Sequence, residues 1–136
     1  MKIFIDTAPL IYLIEGEEEF ANTVEKQLNQ WITTGQNLVT STLTLLELLV
    51  APMRQRNKHL VQKYRALLQD LLSEPLIPLS EAVSEMAAHI RGLNGLKTPD
   101  SIQLATAQYS GADIFYTNDK MLSKFPDIEI LTVKSS

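Results

Sequence analysis

The sequence predicts a three-layer α/β fold in which a mostly parallel sheet is flanked by helices on both faces. Short apolar runs typical of buried strands alternate along the chain with longer segments whose apolar residues recur at helical spacing. Helices between successive strands are the usual connections of a parallel sheet. The chain has 136 residues, a length at which one folded unit is expected, so we predict a single domain over residues 1–136.

The first half of the chain predicts two strands and four helices. Residues 2–5 form an apolar strand, and Pro9 opens a short helix because proline is favoured in a first helical turn. Gly35 ends a second helix. In chain order these elements are a strand at 2–5, a helix at 8–14, a helix from Phe20 to Ile32, a strand at 37–40, a helix at 43–50 and a longer helix with an apolar stripe from Leu60 to Leu72, the last two forming a hairpin around Pro52.

The second half predicts an edge strand, two helices and two further strands. The apolar residues 76–79 include Pro78, which a sheet tolerates at its edge because proline lacks an amide donor. Gly92 and Gly95 are predicted to end the next helix. The remaining elements are a helix from Thr98 to about Tyr109, a strand at 114–117 and a strand at 128–131.

Composition excludes several classes of protein. The absence of cysteine excludes a disulfide scaffold, a thiolate metal site and a cysteine nucleophile. The formal net charge of −4 argues against a protein that binds nucleic acid through bulk charge. An acidic residue, Asp6, interrupts the N-terminus before a signal core develops, and no segment is apolar enough for a bilayer span. We therefore expect a cytoplasmic protein without a membrane segment.

Four acidic residues are predicted to meet at one edge of the sheet. Asp6 directly follows the first strand, and Asp119 comes two residues after the strand at 114–117. Glu47 lies early in its helix and Asp100 lies in the first turn of another. In right-handed strand–helix–strand units, helix N-termini lie at the carboxyl edge of the sheet, where ligands bind. All four acids are therefore expected to project from that edge.

Clustered carboxylates require neutralisation. Burying an unpaired charge costs several kcal/mol as an order of magnitude, so the cluster needs protons or cations. Oxygen ligands suit Mg²⁺ or Mn²⁺, whereas Zn²⁺ favours histidine or thiolate ligands that this cluster lacks. The sequence therefore predicts a divalent-cation site.

Each acid also has a purely structural interpretation. Asp6 caps a following helix, Asp100 stabilises a helix N-terminus, and Asp119 belongs to a turn in that interpretation. The residues from Thr44 to Glu47 match a capping box. Glu47 is nevertheless isolated in an otherwise uncharged stretch, which indicates that it requires a partner.

Four blocks of sequence resemble those of the PIN domain, and most closely those of VapC-like toxins of toxin–antitoxin pairs. The resemblance extends from residue 2 to about residue 131 and includes an acid in every block. The blocks are Ile5-Asp6-Thr7, Leu46-Glu47-Leu48, Thr98-Pro99-Asp100, and the segment from Gly111 through Asn118-Asp119.

The resemblance implies a Mg²⁺- or Mn²⁺-dependent endoribonuclease that uses water to cut RNA, leaving a 5′-phosphate and a 3′-hydroxyl. It also implies a cognate antitoxin. Thr7 and Asn118 match polar neighbours of the first and fourth acids and are given supporting roles. The alternative is a PIN-like module that binds RNA or protein without catalysis, against which the presence of all four acids argues. The catalytic and metal-binding positions implied are Asp6, Glu47, Asp100 and Asp119.

Two surfaces are predicted to contact partners. Residues 48–69 contain basic residues and no acid, and we expect Arg54, Arg56 and Lys58 to contact RNA phosphates; the alternative is a solvated helix face. The apolar residues around Glu47 exceed what one helix face holds, which predicts a homodimer built partly from the helices between residues 43 and 72. An antitoxin is expected to cover the acidic cleft.

Overall fold

One parallel sheet organises the protein. The computed structural model describes residues 1–134, and its four strands are all parallel in the order β2–β1–β3–β4. The central strands are β1 (Lys2–Ile5) and β3 (Ile114–Thr117), and the edge strands are β2 (Asn37–Val39) and β4 (Glu129–Thr132). Each bound lies within one residue of its predicted position. The predicted parallel sheet is therefore confirmed.

Helices connect the strands, and every predicted helix is present. Within residues 1–134, no helix is both long enough and apolar enough to cross a bilayer. A short 3-10 helix after β3, which the sequence did not indicate, spans Lys120–Lys124. The α-helices are α1 (Thr7–Glu15), α2 (Glu18–Thr33), α3 (Thr42–Arg54), α4 (Lys58–Leu71), α5 (Glu81–Asn94) and α6 (Thr98–Tyr109).

Two apolar cores lie on opposite faces of the sheet, because side chains alternate along each strand. In β1, Ile3 and Ile5 pack into the core formed with α1 to α4, whereas Phe4 packs into the core formed with α5 and α6. Phe4 stacks on Phe115 of β3 with ring centroids 5.2 Å apart. The arrangement is the predicted three-layer α/β fold.

The α3–α4 hairpin turns after Pro52 rather than around it. Helix α3 continues through Pro52 to Arg54. The Asn57 N–H then donates to the Pro52 carbonyl at 2.8 Å, and Asn57 Oδ1 accepts from the Leu60 N–H at 3.0 Å. Asn57 thus ends the turn and caps α4.

The predicted edge strand at residues 76–79 is not a strand. Only Ile77 pairs, through an isolated parallel bridge in which its N–H donates to the Thr40 carbonyl at 3.0 Å. Pro75 and Pro78 flank it and lack the N–H groups that a ladder requires. Residues 76–79 nevertheless lie at the predicted edge of the sheet, because Ile77 pairs with the chain just after edge strand β2.

Gly92 and Gly95 have different roles in α5. The prediction that both end the helix is wrong, because Gly92 lies inside α5. Gly95 follows the helix with φ of 67°, and its N–H donates to the Arg91 carbonyl. Only Gly95 therefore occupies the left-handed conformation that favours glycine.

Alanine at these two glycines is expected to change stability in opposite directions. Gly95→Ala should lower the free energy of unfolding by about 1 kcal/mol because it forces a side chain into left-handed backbone. Gly92→Ala should raise it by about 0.5–1 kcal/mol because alanine is the better helix former. Neither new Cβ meets another atom within 4 Å. Urea unfolding measures both, and changes of the same sign would contradict these roles.

Candidate active site

The four predicted acids lie at the carboxyl edge of the sheet. Asp6 directly follows β1 and begins α1, where its Oδ1 accepts from the Thr7 N–H at 2.8 Å. Asp119 follows β3 and caps the 3-10 helix. Glu47 lies in the second turn of α3, and Asp100 lies in the first turn of α6. Two acids thus come from strand ends and two from helices that begin at the same edge.

Burial and neighbouring charges act on Asp6. Burial is the main cause that raises its pKa from 3.8 to about 6. Hydrogen bonds from Thr117 and from the Thr7 N–H lower the pKa, whereas the charges of Glu47 and Asp100 raise it further. Asp6 is therefore close enough to two other acids for their charges to disfavour its ionisation.

Asp100 joins the remaining acid to this cluster. Burial is the main cause that raises its pKa, and the charge of Asp119 is the next largest. Lys97 lowers the pKa, and Glu47 raises it. Each of the four acids therefore interacts electrostatically with at least one other, as expected for residues that share one site.

The protein itself supplies no paired cation to this cluster. In the described part of the chain, the single ion pair joins Lys2 to Glu74 at 2.9 Å and involves none of the four acids. Within the same residues, no three acidic or histidine side chains are already arranged around one point as a metal-binding group. Within residues 1–134, none of the four acids has an ion-pair partner, although the charge of Lys97 acts on Asp100. An all-oxygen set of carboxylates without ion-pair partners fits a hard divalent cation.

The Thr7 side chain contacts Glu47. Its hydroxyl donates to Glu47 Oε1 at 2.6 Å and so ties α1 to α3. The predicted capping box is wrong, because the cap of α3 is Ser41, whose Oγ accepts from the Thr44 N–H at 3.1 Å. Glu47 is therefore too far along α3 to cap it, and its hydrogen-bond partner belongs to another helix.

Asn118 contacts α1 instead of an acid. Its Nδ2 donates to the Tyr12 hydroxyl at 2.6 Å. This contact anchors the segment between β3 and Asp119 against α1. Asn118 therefore affects the fourth acid, Asp119, only through the backbone that the two residues share.

Thr117 and Gln103 lie in the site but were missed by sequence reasoning. The buried Thr117 hydroxyl donates to Asp6 Oδ2 at 2.8 Å and accepts from the Asp119 N–H at 3.1 Å. Gln103 is 3% exposed, and its Nε2 lies 3.4 Å from Asp6 Oδ1. An amide three residues after Asp100 in an otherwise uncharged helix was a usable signal, because that spacing places both on one helix face.

The three basic residues predicted to contact RNA lie at the α3–α4 turn. Arg54 is the last residue of α3, Lys58 is the first of α4, and Arg56 lies between them with φ of 54°. All three are exposed. Arg54 lies beyond Glu47 on α3, and contact of the three residues with RNA stays a prediction.

Asp6→Asn is expected to stabilise the metal-free protein at neutral pH. A carboxyl with a folded pKa near 6 and an unfolded pKa near 3.8 favours folding when protonated and loses that contribution as pH rises between these values. The variant should therefore exceed the wild type by about 1–2 kcal/mol at pH 7.5 and lose this advantage toward pH 4.

Urea unfolding in EDTA at several pH values measures this difference. Asp70→Asn, on the exposed side of α4, is the matched control and should give no comparable gain. A constant difference between wild type and Asp6→Asn across this pH range would show that Asp6 ionisation does not oppose folding.

The family model described as PIN domain matches residues 3–128. No curated protein has a matching sequence. Among solved structures, a toxin–antitoxin complex from Klebsiella pneumoniae is similar at 25% identity with a TM-score of 0.77, covering 98% of this chain and 99% of that chain.

Two further structures share the fold. FitAcB from Neisseria gonorrhoeae is 19% identical with a TM-score of 0.76, covering 95% of this chain and 96% of that chain. The Mycobacterium tuberculosis toxin VapC20, described as cleaving the sarcin-ricin loop, is 16% identical with a TM-score of 0.71, covering 93% and 98%. Because the family model extends over nearly the whole chain, this protein belongs to the PIN domain family.

Proposed function

We propose that this protein is a divalent-metal-dependent endoribonuclease that acts as the toxin of a toxin–antitoxin pair. The observation that carries the proposal is the electrostatic coupling of four carboxylates at the carboxyl edge of the sheet without a paired protein cation. Membership of the PIN family and the likeness to a Klebsiella pneumoniae toxin–antitoxin complex support it. The VapC20 toxin with the same fold is described as a sarcin-ricin loop cleaving toxin, which supports a nucleic-acid substrate, and we take that substrate to be RNA.

Asp6, Glu47, Asp100 and Asp119 would hold Mg²⁺ or Mn²⁺. Such an ion supplies the positive charge that polarises a phosphodiester, activates water and stabilises the leaving 3′ oxygen. No side chain is then needed as a nucleophile, so hydrolysis by water yields a 5′-phosphate and a 3′-hydroxyl.

The protein's contribution is to orient these carboxylates. Thr117 donates to one oxygen of Asp6 and the Thr7 N–H donates to the other, so the Asp6 carboxylate plane is held from both ends. The Thr7 hydroxyl donates to one oxygen of Glu47. Because Asp6 and Thr7 are adjacent in the chain, one dipeptide links the first and second acids.

The α3–α4 turn would bind the RNA on either side of the scissile bond. Arg54 follows Glu47 by seven residues, which is about 10 Å along a helix. RNA phosphates contacted by Arg54, Arg56 and Lys58 would therefore lie near the acidic cluster but outside it. This local positive charge offsets the repulsion between RNA and an acidic protein.

Two protein partners belong to the proposal. Leu46, Val50 and Met53 form a stripe on α3 and are 58%, 44% and 58% exposed, which supports a homodimer that buries this face. The complexes among the structural neighbours support an antitoxin that covers the acidic cleft. We expect the protein to be cytoplasmic, so that it meets both the RNA and the antitoxin of this proposal.

Asp100→Asn is expected to abolish RNA cleavage while the protein stays folded. The change removes one negative charge from the metal site, and the loss should exceed ~100-fold, the upper range for loss of a residue that only supports a metal ligand. Its melting temperature in EDTA should equal or exceed that of the wild type because a partly buried charge is removed.

Cleavage of mixed small RNAs in Mg²⁺, Mn²⁺ and EDTA measures this effect. Glu81→Gln, which changes an acid in the first turn of α5, is the matched control and should keep wild-type activity. Activity of Asp100→Asn near the wild-type level would contradict the assignment of Asp100 to the active site. Wild-type protein that binds RNA but never cleaves it with either metal would support the non-catalytic binding module.

Replacing Arg54, Arg56 and Lys58 with glutamine is expected to weaken RNA binding and leave divalent-ion binding intact. Each lost single-strand phosphate contact should lower the salt slope of the association constant by about 0.7. Binding is measured in Ca²⁺ to limit turnover, with Lys26→Gln on α2 as the control. An unchanged salt slope would identify the α3–α4 turn as a solvated surface.

A further inference from the structure

Gln103 places a primary amide inside the protein, between the elements that carry three of the acids. It belongs to α6, is 3% exposed, and is surrounded on its helix by the fully buried Leu104, Ala105 and Ala107. A buried amide costs free energy unless its donors and acceptor are satisfied. The hydrogen-bond partners of Gln103 therefore explain how a buried amide is tolerated at this position.

Both ends of the Gln103 amide bind the start of α3. The Ser41 hydroxyl donates to Oε1 at 2.5 Å, and Nε2 donates to Thr44 Oγ1 at 2.8 Å. Nε2 also lies 3.4 Å from Asp6 Oδ1. One side chain of α6 thus contacts the first turn of α3 and the residue that follows β1.

The hydroxyls bound by Gln103 have further structural contacts. Ser41 Oγ also accepts from the Thr44 N–H and so caps α3. The Thr44 hydroxyl lies 2.8 Å from that of Thr40, which donates to the Ile5 carbonyl at 2.6 Å. The hydrogen-bonded chain therefore extends from α6 through the start of α3 to the peptide that precedes Asp6.

This chain crosses the part of the protein where charge repulsion acts. Asp100 lies three residues before Gln103 on the same helix face, and Glu47 lies on α3 beyond Thr44. The charges of Glu47 and Asp100 act on Asp6, so repulsion favours separation of α6 and α3 from the end of β1. The amide bridges all three elements at this point.

We infer that Gln103 is a positioning residue: it holds β1, α3 and α6 together against the repulsion of Asp6, Glu47 and Asp100, so that these side chains can turn toward one shared divalent cation. The inference rests on the proposed function and adds to it a residue that touches neither substrate nor cation. An apolar residue of similar size would fill the space, but it would leave the Ser41 and Thr44 hydroxyls without their shared partner.

The test compares Mn²⁺ affinity, stability and kinetics in four proteins. They are the wild type, Gln103→Met, the double variant Thr44→Val with Gln103→Met, and the control Gln108→Met on the same helix. Free Mn²⁺ is measured by electron paramagnetic resonance, and unfolding is measured in EDTA. RNA cleavage gives kcat and KM for each protein.

Gln103→Met is expected to weaken Mn²⁺ binding by about 10-fold or more, as loss of a hydrogen bond behind metal ligands commonly does. Its kcat should fall while KM for RNA stays near the wild-type value. The double variant should regain part of the lost stability because the Thr44 hydroxyl is no longer left without its partner, but it should not regain Mn²⁺ affinity. Gln108→Met should match the wild type in both properties.

Three results would overturn the inference. Equal Mn²⁺ affinity of wild type and Gln103→Met would overturn it alone, with the proposed function intact. Recovery of both stability and Mn²⁺ affinity in the double variant would show that the amide acts only on stability. Failure of the wild type to bind Mn²⁺ would instead overturn the proposed function, and the inference with it.

Discussion

Repulsion among four carboxylates at one edge of the sheet is the constraint on which the rest of the structure depends. Asp6 and Asp100 both have raised pKa values, with burial as the main cause and neighbouring acids as a further one. In residues 1–134, no basic side chain forms an ion pair with any of the four. A fold that places charges in this way is less stable than one without them, unless a ligand compensates. In the proposed function, the bound cation would compensate this cost.

The parallel sheet creates this arrangement, and the two apolar cores hold it. Strands β1 and β3 are neighbours, and the Asp6 N–H donates to the Tyr116 carbonyl at 2.9 Å, so the segments after both strands emerge together. Apolar packing on both faces then fixes α3 and α6, which bring Glu47 and Asp100 to the same edge. The acids are close because the cores leave their elements little freedom to separate.

Short hydrogen bonds from hydroxyl and amide groups set the finer geometry. Thr117, Thr7 and Gln103 all belong to elements that carry an acid, and each contacts an acid on a different element. Neutral donors suit this task, because they orient a carboxylate without cancelling the charge that a cation requires.

The fold class, most of the strands and helices, and the edge at which the acids lie could be predicted from the sequence, because these depend on periodicity and on the direction of parallel strands. Prediction failed where a local pattern had two meanings. The stretch from Thr44 to Glu47 matches a capping box, and residues 76–79 are apolar enough for a strand. Only the tertiary structure decided that Ser41 caps α3 and that Gln103 binds it. The Ser41–Gln103 contact joins residues 62 apart in the chain, and hydrogen bonds between such distant residues depend on packing that no local spacing encodes.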